Sequence, residues 1–83
     1  FNMLTELKDA RRAVGLKQSR KAIRGDSVKT AFIACDADEK ITAPFAELCR
    51  NSGVPIEKVP TMLELGKACG INVGAAVAVV LKD

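Results

Sequence analysis

Four basic side chains lie close together in one short stretch of the sequence. They are Lys17, Arg20, Lys21 and Arg24, and on an α-helix this spacing places all four within an arc of roughly 100°. Positive charges held so close repel one another and do not help the chain to fold. Together they can bind phosphate oxygens or another anion. The pattern leaves two interpretations open, a solvated basic face and a surface that binds a polyanion.

The charge of the chain is concentrated near its N-terminus. The 83 residues contain 13 basic and 10 acidic side chains, a net charge of only +3. Residues 1–30 carry eight basic and three acidic side chains, whereas residues 31–83 carry five and seven. We therefore expect a polyanion to dock on the N-terminal third of the chain.

Several classes of function are disfavoured by residue types that the sequence lacks. It contains no His, Trp or Tyr. His is the commonest general base and a common zinc ligand, and aromatic side chains are the usual surfaces on which nucleic-acid bases stack. We therefore expect a protein that is not an enzyme and that holds no metal ion and no cofactor.

The elements that position these residues follow from the apolar pattern. Four segments have the three- and four-residue apolar spacing of a helix: 3–14, 17–24, 42–52 and 61–69. Three short segments have the composition of buried strands: 28–35, 55–59 and 75–81. Alternating helices and apolar strands predict an α/β fold in one domain over residues 1–83, a three-layer α/β/α sandwich with a small mixed central sheet.

Individual residues mark where the predicted helices begin and end. Gly15, Gly25 and Gly70 follow helical segments, and glycine readily adopts the left-handed backbone angles with which many helices end. Pro44 is expected in the first turn of its helix, where the missing N–H breaks no hydrogen bond. Thr61 begins a Thr-x-x-Glu pattern, which predicts that it caps the helix that follows.

The compartment is indicated by the cysteines and by the longest apolar run. Cys35, Cys49 and Cys69 lie in apolar surroundings without the spacing of a zinc or redox site, and we expect all three to be small core residues. Unpaired thiols are typical of a reducing compartment, so the sequence predicts a cytoplasmic protein. Residues 65–81 are mostly apolar, but this run is short for a membrane span and contains polar residues, so we expect no contact with a membrane.

Two turns carry further candidate residues. Ile71 and Val73 are aliphatic residues in a loop bounded by glycines, and they either pack against the edge of the core or stand exposed for a partner. Asp36 and Asp38 follow the predicted strand 28–35 at its carboxyl end, where binding sites often lie. Paired aspartates there favour a turn, and a metal or acid–base site is the less favoured alternative.

Three runs of the sequence together resemble a known family. Gly15–Gly25, the turn Asp36–Asp38 and Leu65–Gly70 are similar, in order and over nearly the whole chain, to the kink-turn RNA-binding family of ribosomal proteins L-seven-Ae and L-thirty-e. The short bacterial YbxF-type members are the most alike. Members fold as an α/β/α sandwich and bind kink-turns, which are sharp RNA bends with tandem sheared G·A pairs and a flipped-out bulge nucleotide.

The resemblance implies a function for this chain. It is identified as a bacterial, non-enzymatic RNA-binding protein, similar to ribosomal proteins, whose partner is a structured RNA that contains a kink-turn, such as ribosomal RNA or a riboswitch. We expect the protein to be a monomer. The alternative is an adaptor on the same fold, which would bind a protein partner through the apolar loop at Ile71 and Val73.

The resemblance also implies which residues contact the RNA. In the family motif Gly-x-Asn-Glu-x-x-Lys, Gly15 and Lys21 match, and Lys17 and Gln18 replace Asn and Glu as in the bacterial type. Asp38 corresponds to an acidic residue near the flipped nucleotide, and residues 71–73 correspond to the second contact region. The implied RNA-binding residues are Gly15, Lys17, Gln18, Arg20, Lys21, Arg24, Asp38, Ile71, Asn72 and Val73.

Overall fold

The computed structural model describes residues 11–82, in which three helices pack on a four-stranded sheet. In chain order the elements are β1 (Arg12–Val14), α1 (Leu16–Arg24), β2 (Val28–Ala34), α2 (Glu39–Asn51), β3 (Ile56–Val59), α3 (Met62–Ala68) and β4 (Val77–Leu81). The strand order is β1-β4-β2-β3. β4 runs antiparallel to both β1 and β2, whereas β3 runs parallel to β2. The sheet is therefore small and mixed, as the sequence predicts.

Two apolar clusters, one on each face of the sheet, form the core. Val77 to Val80 of β4 are each at most 1% exposed, and alternate residues belong to opposite clusters because successive side chains of a strand point to opposite faces. One cluster includes Leu65 of α3, and the other includes Ile23 of α1 and Phe45 of α2. Helices cover both faces of the sheet, which confirms the predicted three-layer α/β/α sandwich and explains why β4 is apolar throughout.

The segment before Gly15 differs from the prediction. The predicted helix 3–14 lies largely outside the described residues, but its end at Arg12–Val14 is a strand that pairs with β4. The N–H of Leu81 donates to the carbonyl of Arg11 at 2.8 Å, beside this ladder. Helical spacing is a weak preference, and the hydrogen bonds that the edge of β4 offers outweigh it.

Each of the three described helices ends with two N–H groups that bond back to its last turn around a left-handed residue. The left-handed residues are Asp26 (φ 55°), Gly53 (φ 69°) and Gly70 (φ 80°). After α1, the N–H of Asp26 donates to the carbonyl of Ile23 at 3.0 Å and the N–H of Ser27 to that of Ala22 at 3.1 Å. The helix ends at Arg24 and is capped by Gly25, as the sequence predicts. Gly25 itself has φ −84°, and the left-handed residue is the next one, Asp26.

α2 begins earlier than predicted, which changes the position of Pro44. Asp38 caps the helix by accepting a hydrogen bond from the N–H of Lys40 at 2.9 Å. Pro44 is therefore inside the helix and not in its first turn. It removes one helical hydrogen bond on the exposed side of α2. The predicted cap of α3 is confirmed, since the Thr61 hydroxyl accepts from the N–H of Glu64 at 3.1 Å.

The cysteines do not share one environment. Cys49 and Cys69 are buried in opposite clusters, as expected, but Cys35 is exposed at the end of β2 and the expectation of a core residue is wrong there. β2 ends at Ala34 and Cys35 begins the turn that follows, with its N–H still donating to the carbonyl of Val59 in β3 at 2.7 Å. Among the described residues, no helix is both long enough and apolar enough to cross a membrane.

Candidate nucleic-acid interface

α1 has one buried face and one basic face, as its sequence predicts. Ser19 and Ile23 are buried against the core. Five polar side chains are exposed: Lys17, Gln18, Arg20, Lys21 and Arg24. The first turn contains no acidic residue, so no negative side chain within it offsets the positive potential of the N–H groups at the helix start. The exposed face of α1 therefore suits an anionic ligand.

Gly15 connects β1 to α1 and is required for its backbone conformation. Its φ is 90°, in the range that side chains disfavour, although an added Cβ would touch nothing within 4 Å. Its N–H donates to the carbonyl of Val77 and its carbonyl accepts from the N–H of Ser19, both at 3.0 Å. Gly15 thus begins α1 and does not end a preceding helix, and it ties the start of α1 to β4.

The exposed side chains of α1 divide between two flanks of the helix. Gln18 and Lys21 lie beside Arg12 over the groove between α1 and β1, and we call this the β1 flank. Arg20 and Arg24 lie over the groove between α1 and α2, and we call this the α2 flank. Lys17 lies between the two and, with Arg20, Lys21 and Arg24, lines a pocket on the exposed face. The basic arc of the sequence is therefore one continuous face with a groove on each side.

Three segments that are distant in sequence meet at one end of the sheet. β1 and β2 both run antiparallel to β4, so their carboxyl ends lie beside its amino end, where the N–H of Ala34 donates to the carbonyl of Ala76 at 2.9 Å. The start of α1, the turn after β2 and the loop before β4 meet here. The predicted site residues at this end are Gly15, Lys17, Gln18, Asp38, Ile71, Asn72 and Val73. Arg20, Lys21 and Arg24 extend away from it along α1.

The two aspartates of the turn accept hydrogen bonds from helix starts. Asp38 caps α2, and Asp36 Oδ1 accepts from the N–H of Met62 at 2.7 Å at the start of α3. The second bond joins residues 26 positions apart, so no local pattern could predict it. Within residues 11–82, no group of three His, Cys, Asp or Glu side chains is arranged to hold a metal ion. The turn therefore serves to orient α2 and α3 at this end of the sheet.

The loop between α3 and β4 separates its two aliphatic residues. Ile71 is half-buried and packs on the cluster that contains Leu65, whereas Val73 is 66% exposed. Asn72 is exposed as well. Ile71 therefore lies at the edge of the core, whereas Val73 is exposed to solvent, and binding of a partner by Val73 stays a prediction.

Close backbone contacts fix the shape of this loop. A Cβ on Gly66 would overlap the carbonyl oxygen of Val73, and a Cβ on Gly74 would come within 3.0 Å of the Cβ of Met62. The Nε of Arg12 donates to the carbonyl of Cys69 at 2.9 Å, which ties β1 to the end of α3. Only glycine permits approaches this close, so the glycine spacing of the sequence produces a loop that packs tightly on α3.

Two exposed apolar residues beside the loop were not singled out from the sequence. Met62 and Leu63 are 36% and 56% exposed at the start of α3, and Met62 contacts Gly74. Successive helix positions are 100° apart, so burial of Leu65 turns Leu63 outward. This angular relation is the feature of the sequence from which the exposure of Leu63 could be predicted. With Val73 these residues form what we call the apolar patch.

Comparison with known proteins agrees with this architecture. A model of the Ribosomal protein L7Ae/L30e/S12e/Gadd45 family matches residues 3–83, nearly the whole chain. The chain belongs to this family. Its membership confirms the resemblance carried by the runs at Gly15–Gly25, Asp36–Asp38 and Leu65–Gly70.

Individual members of the family are similar over most of their length. An RNA-binding protein of Bacillus pumilus is 47% identical over 68 residues, which are 82% of this chain and 83% of that protein. The RNA-binding protein YbxF of Geobacillus stearothermophilus is 36% identical over 69 residues, 83% of this chain and 84% of YbxF. The solved structure of the Giardia lamblia 15.5kD RNA binding protein superposes with a TM-score of 0.87 at 26% identity, covering 98% of this chain and 72% of that one. The Giardia protein shares the fold, and all three relatives are named for binding RNA.

Proposed function

We propose that this protein binds RNA, that its target is a kink-turn, and that it stabilises the bend without catalysing a reaction. One observation carries the proposal: the start of the basic helix α1 and the packed loop 70–74 lie at the same end of the sheet. A ligand that contacts both must be anionic along α1 and must present an apolar or flat surface to Val73. The names of the relatives support RNA as that ligand.

The start of α1 would read the bases at the bend. A-form RNA has a major groove too deep and narrow for side chains, so a sharp bend must open it. The Gln18 amide both donates and accepts hydrogen bonds, whereas Lys17 and Lys21 only donate. These three side chains suit the exposed edges of sheared G·A pairs, which present donors and acceptors together. Arg20 and Arg24 would bind phosphates.

The loop 70–74 would cover the flipped-out nucleotide. Val73 offers an exposed aliphatic surface, and the half-buried Ile71 holds the loop against the core. The contacts of Gly66 and Gly74 hold the loop before RNA arrives. A loop that is already ordered loses little conformational entropy on binding, which favours affinity. In this proposal the protein acts as a monomer in the cytoplasm, where its three free cysteines remain reduced.

The test compares a kink-turn RNA with a straight duplex of the same length and charge. The duplex is made by replacing the G·A pairs with Watson–Crick pairs, deleting the bulge and adding the same number of nucleotides at the stem ends. We expect the kink-turn to bind at least tenfold more tightly, about 1.4 kcal/mol, in a titration at fixed salt. Equal affinity for the two RNAs would contradict kink-turn recognition and leave only general RNA binding.

A protein adaptor is the second candidate, and the apolar patch of Met62, Leu63 and Val73 favours it. The two functions differ in their salt dependence. Binding through several phosphates weakens steeply as salt rises, because counterions are released from the RNA, whereas an apolar interface changes little. A partner bound with a flat salt dependence would support the adaptor.

A further inference from the structure

A groove of about 270 Å³ runs between α1 and α2. Apolar side chains line it: Leu16, Ile41, Pro44, Phe45 and Leu48. Three cations also line it, Arg20 and Arg24 from the α2 flank of α1 and Lys40 from the first turn of α2. Among the residues 11–82 that line it, none is acidic. The groove therefore has an apolar floor and a rim that is entirely positive.

None of the three cations forms a salt bridge within the described part of the chain. The salt bridges there are Arg50 to Glu47 at 3.0 Å and Lys82 to Asp26 at 3.3 Å, and neither involves this rim. Lys40 also lies in the first turn of α2, where the helix dipole disfavours a positive charge. Arg24, in the last turn of α1, is favoured by the dipole of its own helix. The mutual repulsion of the three cations and the unfavourable position of Lys40 are compensated when an anion occupies the groove.

The groove lies on the far side of α1 from Gln18. At 100° per residue Gln18 is about 160° around the helix from Arg20, and a helix with its side chains is about 10–12 Å across, whereas Lys17 and Lys21 lie between these two on the exposed face. The nucleotides that contact Gln18 therefore cannot also place their backbone in the groove. A helix lying in an opened RNA groove, by contrast, meets one strand on each flank.

We infer that the groove between α1 and α2, with Arg20, Arg24 and Lys40 on its rim, binds the RNA backbone of a second strand. This inference rests on the proposed RNA binding and extends it from α1 to α2. The nine residues of α1 span about 14 Å at 1.5 Å per residue, and they lead away from the end of the sheet where the bend is proposed to bind. The backbone in the groove therefore belongs to a stem next to the bend.

The test uses Lys40→Gln with Lys58→Gln as its matched control. Lys58 is an exposed lysine of β3, and it lines the separate groove on the other side of α2. Three RNAs are titrated: a kink-turn with two long stems, and two versions with one stem cut back close to the bend. On the long RNA we expect Lys40→Gln to bind about 3- to 10-fold more weakly and to reduce the salt slope by about 0.7–0.9, the loss of one phosphate contact. Lys58→Gln should match the wild type.

Shortening the stem whose backbone lies in the groove should abolish the difference between Lys40→Gln and the wild type, because the contacted backbone is then missing. A second readout is acylation of lysine amines, followed by mass spectrometry. Saturating long RNA should protect Lys40 and leave Lys58 reactive. Thermal melts of both variants establish that they are folded.

Failure of this inference differs from failure of the proposed function. If the wild type prefers the kink-turn but Lys40→Gln binds every RNA equally well with an unchanged salt slope, the groove does not hold RNA and the inference is overturned. Undiminished acylation of Lys40 in the complex overturns it as well, and leaves the groove open to an acidic protein helix. If the wild type binds the kink-turn and the duplex equally, this result contradicts the proposed kink-turn recognition itself, before any variant is compared.

Discussion

At the scale of single residues, backbone geometry separates two similar side chains in one loop. The N–H of Ile71 donates to the carbonyl of Gly66 at 3.1 Å, around the left-handed Gly70. This helix ending brings the next side chain onto the end of the helix, so Ile71 packs on the core. Two residues later, Val73 is directed into solvent. Hydrophobicity alone does not distinguish the two residues. Their difference in burial is the reason that Ile71 is proposed to hold the loop and Val73 to contact the RNA.

Truncating each residue to Ala should therefore affect different measurements. Val73→Ala removes exposed methyl groups, so we expect a change in unfolding free energy within about 0.5 kcal/mol and a faster dissociation of kink-turn RNA. Ile71→Ala removes packing at the edge of the core and should cost about 1–2 kcal/mol, below the 2–5 kcal/mol of a fully buried residue. Thermal melts and dissociation kinetics on both variants make the comparison.

The opposite pattern would contradict these roles. If Val73→Ala lowers stability while the folded protein releases RNA at the wild-type rate, Val73 belongs to the core and not to the interface. The Ile71→Ala variant is the internal control, because it shows how a loss of packing in the same loop appears in both measurements.

At the scale of elements, periodicity predicts most of this fold and long-range hydrogen bonds account for the rest. The basic face of α1 and the apolar strands β2 and β4 follow from local residue spacing and do not depend on which elements pack beside them. Arg12–Val14 is a strand and not the predicted helix, because it pairs with β4. Local spacing does not predict this pairing, since it joins residues more than sixty positions apart. After α1 the left-handed backbone angle falls on Asp26 and not on Gly25, because aspartate also tolerates the angles that propensity assigns to glycine. At the candidate site, the division of α1 into two flanks was hidden for the same reason, since it depends on which elements pack beside the helix.

This division predicts different effects for two cations of α1. Lys21, on the β1 flank, is proposed to contact base edges, so Lys21→Ala should weaken kink-turn binding by about 1–3 kcal/mol and reduce its preference over straight duplex. Arg24, on the α2 flank, is proposed to contact phosphate, so Arg24→Ala should weaken both RNAs alike with a shallower salt slope. Titrations of both RNAs at several salt concentrations measure both effects.

Identical behaviour of the two variants would contradict the assignment. If Lys21→Ala and Arg24→Ala change neither the preference nor the salt slope, the basic face is only a solvated surface. Because both side chains are exposed, we expect both variants to fold, and circular dichroism spectra that match the wild type provide the control.

At the scale of the whole molecule, the three described helices all begin at the end of the sheet where the proposed contacts lie. Each follows the carboxyl end of a strand: α1 after β1, α2 after β2 and α3 after β3. The positive ends of their dipoles therefore lie together. α2 and α3 carry Glu39 and Glu64 in their first turns, whereas α1 has no acidic residue there. Only α1, of these three, presents its start without a neutralising side chain, which makes it the element best suited to meet RNA.

The core that holds this arrangement contains two thiols, and these give it a dependence on alkaline pH. Burial raises the pKa of Cys49 in one cluster and of Cys69 in the other, and the charges of Arg50 and Arg12 respectively offset part of each rise. In the unfolded chain a thiol ionises near pH 8.5, about its ordinary value. The unfolded state therefore releases these protons at lower pH than the folded state does.

It follows that stability is fully present below about pH 8.5 and falls as the pH rises from the unfolded pKa through the raised folded values, by at most about 1.4 kcal/mol per pH unit for each thiol. Denaturant unfolding between pH 7 and about pH 10, in the presence of a reducing agent, measures the slope of the unfolding free energy against pH.

Cys69→Ala leaves a small cavity and lowers stability at every pH. It also removes one ionising thiol, so the slope of its unfolding free energy above pH 8.5 should be shallower than that of the wild type. Cys35→Ala is the matched control for the substitution itself, because Cys35 is exposed at the end of β2 and belongs to neither cluster. Parallel slopes for the wild type and Cys69→Ala would mean that the buried thiols do not set the alkaline limit of this fold.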